Sequence, residues 1–244
     1  MKVKEIMQKK VITCKEDDTL SQVLSKMRQN NIHQVFVVEK GSLKGSIVLN
    51  EIIRRNFDPN TKVSGLVTPV PSIRSNANIE EATELLLSSN ARAIPVVDDK
   101  IVGVVSENDL ITTVDKDFDV NEVSNKCQYV LANDNLGEIQ NLMVNKNFSR
   151  VPVFEKGGII GIVGTMELAN IMEQRGSLRD SGAGYKSRAS KDKITIDGSY
   201  ATTVMRPANV IRKPITSKKV LELLKSNEEV LIINGDIRII TPKD

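Results

Sequence analysis

The stretch VVDDKIVGVVSENDLI, residues 96–111, decides how the rest of the chain is read. Two apolar runs flank a charged turn, Asp98-Asp99-Lys100, and a polar Ser-x-x-Asp follows the second run. Apolar runs of this length about a short polar turn read as a β-hairpin. The Ser-x-x-Asp reads as the start of a helix. Working outward, the same pattern recurs as VVEKGSLKGSIVLNEI (37–52) and VFEKGGIIGIVGTMEL (153–168). The glycines Gly45, Gly103 and Gly161 lie 58 residues apart both times. A weaker copy, LIINGDIRIITPKD (231–244), has Arg238 in the glycine place, displaced by 77 residues. A fixed period of this size marks a repeat architecture.

Each copy has one grammar. It opens on a short β-type run, as in Val11-Ile12-Thr13, Ser72-Ile73, Tyr129-Val130-Leu131 and Val210-Ile211-Arg212. A helix follows, with Leu20, Val23, Leu24 and Met27 at i, i+3, i+4, i+7 in the first copy. Ile79, Ala82 and Leu86 play that part in the second copy, and Leu136, Ile139 and Met143 in the third. The hairpin comes next, Ile94–Val97 and Ile101–Val105 in the second copy, and a second helix over Asp109–Val114 closes the unit. The fold class is α/β (α+β), built from four β-α-β-β-α repeats. The boundaries are 1–59, 60–118, 119–172 and a shortened 200–244, with 173–199 as a linker or surface loop rich in Ser, Gly and charge. One unit is too small to bury both helix stripes and its sheet. Pairing 1 with 2 and 3 with 4 solves that.

Composition removes several classes of function. Hydrophobic residues make up 40% of the 244, enough for a sizeable core. The net charge is +3, far from the basic excess of a general polyanion binder. Three Tyr, five Phe and no Trp are thin material for stacking bases. Cys14 and Cys127 stand in no metal spacing, and His33 is the one histidine, so a catalytic triad or His-based metal site is not supported. No G-x-x-x-x-G-K-[ST] occurs, and Gly157, Gly158 and Gly161 sit in a hairpin rather than before a phosphate-binding helix. The charged start and short apolar runs point to a cytoplasmic protein with no membrane span.

The pieces VKEIMQKKVIT (3–13), TTVMRPANVIR (202–212), ARAIPVVDDKIVGVVSENDL (91–110) and FSRVPVFEKGGIIGIVG (148–164), with the 58-residue period, resemble the CBS-domain proteins over nearly the whole chain. Four CBS motifs in two Bateman modules are similar in layout to the gamma subunit of AMP-activated protein kinase and its archaeal relatives. That resemblance implies two modules forming a flat disk, adenine nucleotides in clefts between paired repeats, and no catalysis. A homodimer that builds the disk between two chains is the other arrangement. Some members take S-adenosylmethionine or methylthioadenosine instead.

The family's ligand motif is Ser/Thr-x-x-Asp after the last strand. A carboxylate can accept two hydrogen bonds from a ribose diol. The resemblance therefore places the ribose on Asp109 and Asp244, with Ser106 and Thr241 near the phosphate. Repeat 1 has Val48 and Glu51 in these places and repeat 3 has Gly164 and Glu167, so two of the four clefts are expected to bind. Ser106-Glu107-Asn108-Asp109 is equally a capping box, a role compatible with ligand binding. Arg92, Arg150 and His33, before the inner strands, are the phosphate candidates, each of which could equally be a solvated strand end. Val70-Pro71-Ser72 and Ala208-Asn209-Val210 match the base-lining openings, where backbone groups would read an adenine edge.

The leading reading is a non-catalytic sensor of AMP, ADP or ATP that signals to a protein partner. One alternative is an S-adenosylmethionine or methylthioadenosine module. The other is a protein or nucleic-acid interaction module using Arg175–Lys193, with six basic and two acidic residues. A solvated linker is the plainer account of that segment, and nucleic acid is not the expected partner.

Overall fold

The computed structural model describes residues 1–55, 58–89, 91–146, 148–171, 199–212, 214–226, 229–234 and 236–242. Repeat 1 runs α1 (Val3–Ile6), β1 (Thr13–Cys14), α2 (Leu20–Asn30), β2 (Gln34–Glu39), β3 (Ser42–Val48) and α3 (Leu49–Arg55). Strand β1 is parallel to β2, and β2 is antiparallel to β3. The parallel pair requires a crossover, and α2 supplies it. Thr19 and Gln22 form a capping box at the start of α2, and Asn31, at φ 50°, closes it in the left-handed region. All four expected stripe residues of α2 are buried.

The later repeats follow the same order. Repeat 2 has a 3-10 turn (Val63–Leu66), α4 (Ile79–Ser88), β4 (Ala93–Val97), β5 (Ile101–Ser106) and α5 (Glu107–Ile111). Its first strand shrinks to one parallel bridge, Ile73 to Val96. Repeat 3 has α6 (Val120–Val123), β6 (Asn125–Lys126), β7 (Val130–Leu131), α7 (Leu136–Lys146), β8 (Arg150–Glu155), β9 (Gly158–Gly164) and α8 over 165–171. Repeat 4 has a 3-10 turn (Ala201–Thr203), β10 (Val210–Ile211), α9 (Ser217–Ser226), β11 (Val230–Asn234) and β12 (Asp236–Ile240). The second helix of repeat 2 begins two residues before the expected Asp109 and ends at Ile111, because Ser106 takes the N-cap.

The described chain divides into two compact units. One holds residues 1–11, 70–128 and 207–244; the other holds 12–69 and 129–206. The second unit has one continuous core, from Leu20, Met27 and Ile53 of repeat 1 to Leu136, Ile139 and Val163 of repeat 3. Helices α3 and α7 meet there, and the Gln140 Nε2 amide donates to the Ile53 carbonyl at 3.0 Å. In the first unit α5 of repeat 2 lies against α9 of repeat 4, over two smaller cores. Compactness thus joins alternate repeats through helices.

Sequential repeats are tied in another way, by exchanging their opening segments. Residues 1–8 dock on repeat 2: Ile79 N–H donates to the Met1 carbonyl, and Gln8 and Val104 exchange backbone hydrogen bonds of 2.8 and 2.9 Å. The opening of repeat 2 docks on repeat 1 in the same way, with Leu20 N–H to Thr61 O and Ser46 paired with Thr68. The opening of repeat 4 docks on repeat 3, with Leu136 N–H to Ser199 O and Ile162 paired with Arg206. Strand β6, from the opening of repeat 3, docks on β12 of repeat 4. Each exchange satisfies helix-start N–H groups or adds an edge strand.

The exchange explains the repeat glycines. A Cβ at Gly103 would stand 2.8 Å from the Met7 sulfur and 2.9 Å from the Gln8 carbonyl oxygen. One at Gly161 would stand 2.6 Å from the Met205 sulfur and 2.9 Å from the Arg206 carbonyl oxygen. Repeat 4 solves the problem differently. Arg238 is in register with Lys126, and its guanidinium donates to Ser124 Oγ (2.6 Å) and to the carbonyls of Asn121 (3.0 Å) and Ser124. The arginine fills the place and caps the carbonyl end of α6.

Candidate functional site

Ser106 ends β5 and caps α5, and Asp109 stands one turn on. The Asp109 Oδ2 accepts the Ser106 backbone N–H (2.8 Å) and the Ser106 hydroxyl (2.7 Å). Its Oδ1 accepts the side-chain amide of Gln8 at 2.9 Å. Asp109 is half-buried, and Gln8 is exposed on the exchanged segment. The capping role read from the sequence is present here, with Ser106 at the N-cap and Asp109 closing the box.

Two further sequence candidates gather at this end of repeat 2. Ala93 pairs with Ser106, and the Glu107 N–H donates to the Arg92 carbonyl at 3.2 Å, so Arg92 stands at the strand end beside the cap. Its side chain is half-buried. The opening Val70-Pro71-Ser72 leads into Ile73, which runs parallel to β4. In repeats 1 and 4 the first crossover carbonyl is taken by the central strand: Phe36 N–H donates to Ile12 O, and Leu231 N–H to Asn209 O. The residue in the Phe36 and Leu231 register of repeat 2 is Pro95, which has no N–H. The ladder bond that Ile12 and Asn209 receive is therefore missing at Pro71. Repeat 3 has Pro152 in the same register.

Repeat 3 fills the motif positions with other chemistry. Glu167 Oε2 accepts the Gly164 N–H at 2.8 Å, and Oε1 lies 3.3 Å from Arg206 Nε. Arg206 is the counterpart of Gln8 on the exchanged segment. A Cβ at Gly164 would stand 2.8 Å from Glu167 Oε2, so the longer acid occupies the room that a serine would need. Arg150 lies inside β8 opposite Gly164, in register with Gln34 and Ala93 rather than with His33 and Arg92. It is 6% exposed and donates to Ser149 Oγ at 3.2 Å.

The other expected positions are spread out. In repeat 1, Glu51 pairs with Arg54 at 3.3 Å, Val48 is buried, and the half-buried His33 accepts the Leu49 N–H through its carbonyl at 2.9 Å. Thr241 follows β12 and is half-buried, whereas Asp244 lies outside the described residues. Ala208, Asn209 and Val210 are half-buried, with the Asn209 carbonyl engaged at 2.8 Å. The basic segment 175–193 also lies outside the described residues. Thus Ser106, Asp109, Arg92 and Val70–Ser72 belong to one unit, and His33 and Arg150 to the other.

Gln8 and Arg206 were missed by sequence reasoning. Each follows a methionine, Met7 or Met205, in an opening segment. That shared offset was visible, but nothing in it told which repeat the segment would join. The two cysteines are packing groups. Burial pushes both thiols up to about 11, so neither is a thiolate at neutral pH. No helix of the described residues is long and apolar enough to cross a membrane.

Residues 3–58, 63–116 and 119–174 match the CBS domain. The chain belongs to the CBS-domain family. CBS domains are generally regulatory and ligand-binding rather than catalytic. The fourth stretch is outside that match, yet it builds the same parallel-antiparallel strand trio of β10, β11 and β12. A Bacillus subtilis relative, the CBS domain-containing protein YhcV, is 32% identical over 130 residues, 51% of this chain and 87% of its own. The uncharacterized protein MJ1225 of Methanocaldococcus jannaschii is 23% identical over 93% of this chain and 86% of its own. The solved structure of MJ1225, described as a candidate archaeal homolog of g-AMPK, overlays with a TM-score of 0.79 at 21% identity, covering 100% of this chain and 98% of that one. An uncharacterized conserved protein of Pyrococcus horikoshii overlays at 0.62 and 23% identity, covering 100% and 97%. These likenesses show the fold, with three CBS domains and a fourth stretch of the same strand arrangement.

Proposed function

We propose that the chain is a non-catalytic regulatory module that binds an adenine nucleotide at CBS repeat 2 and signals to a protein partner by a change of conformation. The observation that carries this reading is Asp109: a half-buried carboxylate in the first turn of α5, just after β5, with the Arg92 strand end bonded to the same turn through Glu107 N–H. A ribose diol would donate to the carboxylate. The adenine edge would meet the Val70–Ser72 backbone, and Arg92 would meet a phosphate through its planar fork. The family membership and the MJ1225 fold support the regulatory role. Repeat 3 is read as a non-binding position, because Glu167 is engaged by Gly164 and Arg206.

Isothermal titration calorimetry against AMP, ADP, ATP and S-adenosylmethionine tests this. Binding of at least one adenine nucleotide, lost in Asp109→Ala, is the expected result. A preference for S-adenosylmethionine with the same dependence on Asp109 would keep the site and change the signal. Binding that survives Asp109→Ala would move the site elsewhere.

A further inference from the structure

Asp109 has an acceptor problem that its neighbours reveal. A carboxylate offers about four lone-pair positions over its two oxygens. Three are taken here: the Ser106 N–H and O–H on Oδ2, and the Gln8 amide on Oδ1. One position remains. A vicinal diol brings two donors, so it cannot be received in full unless one present donor yields. The Ser106 bonds are local and hold the cap of α5. The Gln8 bond spans 101 residues and comes from an exposed side chain, so it is the easiest to break.

We infer that Gln8 competes with the ribose diol for Asp109, so that nucleotide binding at repeat 2 must displace the Gln8 side chain. This rests on the reading of Asp109 as the ribose acceptor. The residue that yields lies on a segment with its own anchors. Gln8 keeps two backbone hydrogen bonds to Val104, Met7 packs over Gly103, and Met1 and Lys2 reach the start of α4. Occupancy of the carboxylate is thereby tied to the segment that repeat 1 lends to repeat 2. Repeat 3 has the charged version of this contact, Glu167 with Arg206, at the same place.

The test is calorimetric titration of the full chain with AMP and with 2′-deoxy-AMP, for wild type, Gln8→Ala, Gln8→Asn and Asp109→Ala. Gln8→Asn keeps the amide but is one methylene too short to reach. Both Gln8 variants are expected to bind AMP about threefold to tenfold more tightly, the range of one net hydrogen bond. The gain is expected to vanish for 2′-deoxy-AMP, whose single remaining hydroxyl fits the one open position. Equal or weaker AMP binding by Gln8→Ala and Gln8→Asn, with binding still lost in Asp109→Ala, overturns the competition and leaves the site. An equal gain for both ligands also overturns it. Absence of AMP, ADP and ATP binding in wild type and Gln8 variants alike, or binding indifferent to Asp109→Ala, overturns the nucleotide reading itself. Circular dichroism of each variant confirms the fold.

Discussion

CBS repeats 2 and 3 place an acid at the same point of the same fold and do different things with it. In repeat 2, Asp109 bonds Ser106 and meets the neutral amide of Gln8. In repeat 3, Glu167 bonds the Gly164 N–H and meets the charged Arg206. The backbone bond is 2.8 Å in both, so the capping geometry is kept. The difference lies in what lends the remaining donor. A neutral amide can be exchanged for a ligand hydroxyl at little electrostatic cost. A guanidinium adds a charge that a ligand hydroxyl does not replace, although solvent screens this partly exposed pair. The lent residue, a neutral amide at position 8 and a guanidinium at position 206, separates the two carboxylates.

Substitutions can break or sharpen that contrast, and the largest effect is expected at the ligand. Asp109→Ala is expected to lower adenine-nucleotide affinity by about a hundredfold or more, two charge-assisted hydrogen bonds being lost, while Glu167→Ala leaves it unchanged. Calorimetry on both variants reads this directly. Next comes the exchanged segment itself. Gly103→Val and Gly161→Val each drive a side chain into a backbone carbonyl 2.9 Å from the new Cβ. Each is expected to cost about 1–3 kcal/mol in thermal unfolding, as overpacking does. Gly103→Val is also expected to tighten nucleotide binding, because it displaces Gln8, the competitor for Asp109.

A smaller effect tests the steric trade within repeat 3. Gly164→Ser is expected to destabilise by about 1 kcal/mol, since its Cβ meets Glu167 Oε2 at 2.8 Å. In a Glu167→Asp background that cost is expected to disappear. A double-mutant cycle by urea unfolding would then give a coupling of about 1 kcal/mol. An additive result would mean that the two positions are independent. Smallest is Glu167→Gln, expected to cost a few tenths to about 1 kcal/mol, because Arg206 is 33% exposed and solvent screens the pair. That loss should shrink in high salt, whereas Gln8→Ala, which removes a neutral donor, should change little with salt.

Much of the fold was legible. The i, i+3, i+4, i+7 stripe of α2 is buried as its pattern implied, and the hairpin of repeat 2 lies within one residue of its expected bounds. The capping box at Ser106 and Asp109 was read correctly, because local spacing decides it. The site was legible only in part. Asp109 and Ser106 carry a motif, but their third partner is 101 residues away. The spacing of Arg150 from the hairpin resembles that of Arg92, yet the strand register sets it one place further in, where it is buried. Arg238 looked like a loss of the repeat glycine, but it is a different solution to the same close approach.

The sequence by itself determined the repeat, its elements, and which positions could carry a capping acid. Those are matters of period and local hydrogen bonding, which act within a few residues. Only the tertiary structure decided which repeat receives each opening segment, and hence that Asp109 faces Gln8 and Glu167 faces Arg206. The four opening segments are similar in pattern and could each satisfy several partners. The bare glycines Gly103 and Gly161 admit the close approach, and the segment that docks there sets the chemistry at each carboxylate.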